Sequence, residues 1–232
     1  MPTLDESFLE VVATLAGRYG RPAPVAEGLD LFEALVAVAL ARSVPPKKLA
    51  AALDCLREAG LVESRTLAEA EPADLSEALR AAKVSLPARS LGPLRRLARW
   101  LVERHKGSAE ALRDEDVATD RLREELLALN GVGPATADAL LLFALRRPVY
   151  PVDRASYRIL VRHDWLDPTA AYDEARAVIE RPAAGDPDVL ARLSVWLERV
   201  GRDCCRAGVA RCDRCPLQPF LPEGGPREPE TF

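Results

Sequence analysis

The chain has 232 residues, 48% apolar, 29% charged and only 5% aromatic, with a net charge of −4. That length and apolar fraction suffice for one large or two small domains with cores of their own, and they exclude a disordered or low-complexity chain. No uncharged apolar run reaches the roughly 18 residues of a membrane span, and Asp5, Glu6 and Glu10 interrupt the stretch where a secretory signal has its apolar core, so a cytoplasmic protein without a membrane partner is expected.

In chain order the pattern is helical almost throughout. The segment "LDLFEALVAVALARSV" (29–44) is too continuously apolar for a surface helix and predicts a buried one, stopped by Pro45 and Pro46. Then come "PKKLAAALDCLREAG", closed by Gly60, "DLSEALRAA", opened by Asp74, and "LGPLRRLARWLVERHKG", closed by Gly107. "DRLREELLAL" follows, then the turn "NGVGP" and the apolar "ATADALLLFAL". No stretch alternates with period two over a convincing length, so the expected fold is all-α. The final "LPEGGPREPETF" (221–232) reads as a flexible tail.

The net charge argues against a nucleic-acid partner, but its distribution argues for one. Between Leu86 and Gly107 six cations face one acid, and between Arg146 and His163 five arginines face Asp153. "EALRDEDVATDRLREE" holds seven carboxylates against three arginines, which predicts a basic face and an acidic back. In the turn, Gly131 and Gly133 free the backbone for close approach to a partner, and Pro134 suits the first turn of the next helix. A phosphate is one occupant of such a turn; a plain helical corner is the other reading. Asp153 precedes an arginine-rich helix, where it either caps the helix or stands at a cleft to activate a water or face a developing cation.

Four of the five cysteines, Cys204, Cys205, Cys212 and Cys215, fall within "GRDCCRAGVARCDRCPLQPFL", and in a reducing compartment such a cluster reads as a metal site. Cys55, alone in a helical stretch, reads as core. So do Trp100, Trp165 and Trp196, whereas His105 reads as exposed and His163 as a helix-end residue. Tyr150, in an apolar run, reads first as core and is a weak candidate to stack in a pocket, and Asp138, one turn into the second hairpin helix, either touches the pocket, as a weak candidate, or only solvates it.

"LNGVGPATADALL", then "PVDRASYRIL", then the cysteine cluster, in that order, resemble the helix-hairpin-helix DNA glycosylases of the endonuclease III type over residues 28 to 220. The resemblance implies a helical barrel domain at 29–146, a second domain from 1–28 and 147–220 with a [4Fe-4S] cluster, and a monomer binding double-stranded DNA across the cleft between them. The damaged base is flipped out for removal. It places the catalytic aspartate at Asp153 and the phosphate-gripping hairpin at Asn130, Gly131, Val132, Gly133 and Ala135. One wedge falls on Leu86, helped by Arg89, and the other near Ser43, where endonuclease III has a glutamine that Arg42 would replace.

Two positions depart from the family. Endonuclease III has its lysine nucleophile where Ala135 stands, so a monofunctional glycosylase is expected, and the "ADALLLFALRRPVYPVD" run resembles relatives that act on alkylated purines. The alternatives are oxidised-pyrimidine or abasic-site activity with another amine, Lys83 being the candidate, and a non-catalytic module that binds damaged DNA. The family spacing Cys-x6-Cys-x2-Cys-x5-Cys is met by Cys205, Cys212 and Cys215, but its fourth place falls on Leu221. Three readings stay open: Cys204 and Cys205 both bind, a non-cysteine group takes the fourth place, or the cluster is lost.

Overall fold

In the computed structural model, described over residues 3–23, 26, 28–114 and 116–227, eleven α-helices account for most of the chain. They are α1 (Leu4–Tyr19), α2 (Leu31–Ala41), α3 (Pro46–Glu58), α4 (Ser64–Glu69), α5 (Pro72–Ala81), α6 (Ala88–His105), α7 (Thr119–Leu127), α8 (Pro134–Ala139), α9 (Arg154–Arg162), α10 (Tyr172–Glu180) and α11 (Pro187–Asp203). No strand occurs among the described residues, only one isolated antiparallel bridge between Cys205 and Ala210. None of the helices is long and apolar enough to cross a membrane.

The helix starts follow local chemistry. Thr3 and Glu6 form a reciprocal capping box on α1, and Asp30 accepts the Glu33 N–H at 2.8 Å to open α2. Asp74 does not open α5 as the sequence suggested. The helix begins two residues earlier at Pro72, and the Asp74 carboxylate reaches back to the Glu71 N–H at 3.3 Å. The short helices α4 and α10 were not anticipated, and the second hairpin helix turns from α to π geometry at Leu140–Ala144.

The chain divides into two compact units, Pro24–Arg147 and Met1–Ala23 with Pro148–Phe232. The first has a core of aliphatic side chains from α2, α3, α5 and α6, with α4 packed along α6. In the second, α9 lies against α11 with no space between them at one point: a Cβ on Gly201 would sit 2.3 Å from that of Ala155. Residues 221–227, expected to be loose, are tied to this unit. Arg227 pairs with Asp164 at 2.9 Å and donates its amide to the Arg162 carbonyl at 3.0 Å. The last five residues of the anticipated tail lie outside the described residues.

Candidate functional site

The hairpin is built from α7, the turn and α8. Gly131 has φ +85°, a left-handed conformation, and a Cβ there would meet Pro93 Cγ at 3.0 Å and Arg96 Nη2 at 3.1 Å. Glycine is therefore required twice, by the backbone and by the packing against α6. From α6, Arg96 Nε also donates to the Asn130 carbonyl, which holds the turn from below. Asn130, Gly131 and Gly133 are exposed, Ala135 is half-buried and Val132 is buried as the anchor of the turn. Thr136 and Ala137 bond to the Gly133 carbonyl at 2.9 and 3.0 Å, Val132 bonds to that of Leu129 at 2.9 Å and Pro134 has no N–H, so the amides of Gly133 and Ala135 are the ones that face an outside partner. Gly131→Ala is expected to strain the turn by about 1–2 kcal/mol and to weaken binding of an abasic-site duplex by roughly tenfold, read by fluorescence anisotropy.

Asp138 does not line a pocket. Its carboxylate is 0% exposed and takes both arms of Arg123, with Nε–Oδ1 at 2.6 Å and Nη2–Oδ2 at 3.3 Å. The pair joins α7 to α8 and fixes the angle of the hairpin. His105 is half-buried rather than exposed, edge-on to Trp100 at 4.8 Å.

The other candidates in this unit are spread along it. Arg42 and Ser43 are exposed at the end of α2, and Arg89 is exposed in the first turn of α6. Leu86 is half-buried and packs against the core. Lys83 is exposed with φ +54°, and its carbonyl accepts from Lys48 Nζ.

In the second unit Asp153 caps α9: its Oδ1 accepts the Ser156 N–H at 2.7 Å, and the residue is half-buried. This fixes one carboxylate oxygen and leaves the other for a water or a cation. Tyr150 sits in the core at 0% exposure, not in an open pocket, with its hydroxyl 2.8 Å from Ser156 Oγ. Burial, and then the charge of Asp153, push that phenol far above its usual range.

Two arginines counted with the cationic face point inward instead. Arg158 donates through Nε and Nη2 to the Cys205 carbonyl at 2.8 and 2.6 Å. Arg162, 1% exposed, donates to Cys205 Sγ at 3.4 Å and to the Arg206 carbonyl at 2.8 Å. They stand four residues apart on one face of α9, so the helix that Asp153 starts is the helix that grips the cysteine loop. Their spacing among Ile159, Leu160 and Val161 was the available sign of burial.

All four clustered cysteines line one small cavity of about 10 Å³, with His163 and Leu221 among its other walls. No set of three or more metal-ligating side chains among the described residues is arranged to hold an ion as it stands. The chemistry of the donors fits a cluster all the same. Burial, then the neighbouring Cys204, Cys205 and Cys212, push the Cys215 thiol up to about 12, so four thiolates can share this space only with a compensating positive charge. A [4Fe-4S] core would supply that charge, and the Arg162 N–H already points at one sulfur. Arg202, Arg206, Arg211 and Arg214 are exposed around the loop.

Comparison with known proteins bears on the hairpin, the family and the fold. A family model described as the helix-hairpin-helix motif matches residues 119–143, which span α7, the turn and α8. A protein of Methanocaldococcus jannaschii that carries the provisional name DNA repair glycosylase is 30% identical over 190 residues, 82% of this chain and 84% of that one. Endonuclease III of Sulfolobus acidocaldarius is 27% identical over 119 residues, 50% of this chain and 52% of that one. Among solved structures, a non-covalent endonuclease III–DNA complex superposes with a TM-score of 0.73 at 20% identity, covering 97% of both chains. The H. pylori 3-methyladenine DNA glycosylase MagIII, bound to 1,N6-ethenoadenine, gives 0.65 at 18% identity, covering 87% of this chain and 98% of that one.

Proposed function

Because the chain belongs to the helix-hairpin-helix DNA repair glycosylases of the endonuclease III superfamily, we propose that it hydrolyses the bond between the sugar and an alkylated purine without cutting the strand. The observation that carries this reading is Ala135. It stands in the first turn of α8, where the family resemblance puts the endonuclease III lysine, and its methyl group has no lone pair with which to attack C1′. The four lysines, Lys47, Lys48, Lys83 and Lys106, all lie outside the hairpin and the Asp153 segment, and Lys83 is turned to solvent.

The chemistry asked of the protein is then small. As the glycosidic bond lengthens, the sugar takes on positive charge, which the Asp153 carboxylate stabilises through the oxygen not committed to Ser156. The same carboxylate orients a water and receives its proton. A bond forms from water oxygen to C1′, the C1′–N bond breaks, and the electron pair leaves with the base. A cationic alkylated purine departs as a neutral molecule, so no general acid is required. Support for this substrate class comes from MagIII, whose structure contains an alkylated purine analogue.

The hairpin amides and the exposed arginines around the cysteine loop hold the DNA backbone, with Leu86 and the Arg42–Ser43 pair as wedges. A [4Fe-4S] cluster held by the cysteine loop would cross-link it. The test of substrate class is chromatography of bases released from DNA treated with a methylating agent. Free 3-methyladenine or 7-methylguanine is expected, and release from an oxidised-pyrimidine duplex alone would overturn the assignment.

A further inference from the structure

On the proposal that this chain carries the cluster, we infer that Cys204 is the fourth ligand, so that two consecutive residues hold two corners of one cubane and Leu221 serves as cavity wall. Elimination within the cavity carries the first part of the argument. Arginine has no lone pair to give, and neither Leu221 nor Pro226 has a donor. His163 has both ring nitrogens directed at backbone carbonyls, Nδ1 at that of Ile159 at 2.8 Å and Nε2 at that of Leu217 at 3.2 Å; the neutral ring donates through one of them, and the other faces a carbonyl oxygen. The amide of Gln218, exposed at the rim, offers a hard oxygen where iron-sulfur clusters take thiolate. Only Cys204 remains to complete the set begun by Cys205, Cys212 and Cys215.

Backbone geometry carries the second part. Helix α11 ends at Asp203, and Cys204, with φ −123° and ψ −49°, is already outside it. The pair is thus released from helical spacing just where both residues, each 6% exposed, open on the same cavity. Cys204 Sγ lies 3.5 Å from the Arg214 carbonyl, above the turn between Cys212 and Cys215. The two corners are unequal. Cys205 has the Arg162 N–H on its sulfur and two Arg158 N–H groups on its carbonyl, whereas the sulfur of Cys204 meets a carbonyl oxygen. Hydrogen bonds to sulfur stabilise a ligating thiolate, and a facing carbonyl does not, so the iron at Cys204 is the one most easily lost.

The test uses full-length protein purified anaerobically, with iron and sulfide counted per chain and EPR recorded as isolated. Wild type should hold about four irons and be silent. Cys204→Ala should lose at least one and show the signal of a three-iron cluster, or lose all of them. Cys204→Ala with Leu221→Cys, which restores the family ligand, should return to about four irons. A Cys204→Ala protein with the full iron count and an unchanged spectrum would overturn the inference. If that variant does not fold, Cys204→Ser decides: a shifted EPR signal of the reduced cluster supports oxygen ligation at that corner, and an unchanged one contradicts it. Wild type without iron would defeat the cluster proposal itself, while base release from the same sample tests the glycosylase proposal separately.

Discussion

Asp153→Asn should lower single-turnover base release from methylated DNA by on the order of 10²–10⁴-fold, while binding to an abasic-site duplex stays close to wild type. The substitution is informative because asparagine caps helices as well as aspartate does. Its side-chain oxygen can keep the 2.7 Å contact with the Ser156 N–H, so α9 and its grip on the cysteine loop persist. What is removed is the negative charge and the ability to take a proton from water. An equal loss of binding and release would instead mean that Asp153 matters only as a cap.

Asp138→Ala should be the most damaging single change in the other unit, lowering stability by about 3–5 kcal/mol, the usual cost of breaking a buried ion pair by removing one partner. For a chain of this length that corresponds to a fall in Tm of roughly 10 °C, measurable by calorimetry. Arg123 is only 13% exposed and would keep its charge without the carboxylate that takes both its arms. Because the pair joins α7 to α8, the variant should also bind DNA more weakly well below its melting temperature. Asp138→Asn, which keeps one acceptor, should cost less.

These two residues mark what could be read from the sequence and what could not. The hairpin turn was legible because its glycines and proline act through their own backbone preferences, and the cap at Asp153 needs only the next three residues. The Asp138 pair is not legible, because its partner lies fifteen residues back, across a turn whose angle the sequence does not state. Arg158 and Arg162 were counted as surface charge, since a charge tally cannot say which way a helix faces. Tyr150 in its apolar run reads first as core, and there it is, with its hydroxyl on the buried Ser156. The short α4 and α10 carry too few turns for a periodicity to emerge. The tail from 221 looked loose by composition, yet one ion pair and one backbone hydrogen bond hold its first seven residues.

The central claim is base removal by water, without an amine nucleophile. Its most direct measurement is denaturing electrophoresis of an end-labelled duplex with one alkylated purine, incubated with the protein with and without borohydride. The account predicts an intact strand that breaks only on later alkali treatment, and no protein–DNA adduct. A strand cut by the protein alone, or a covalent adduct trapped by borohydride, would contradict it.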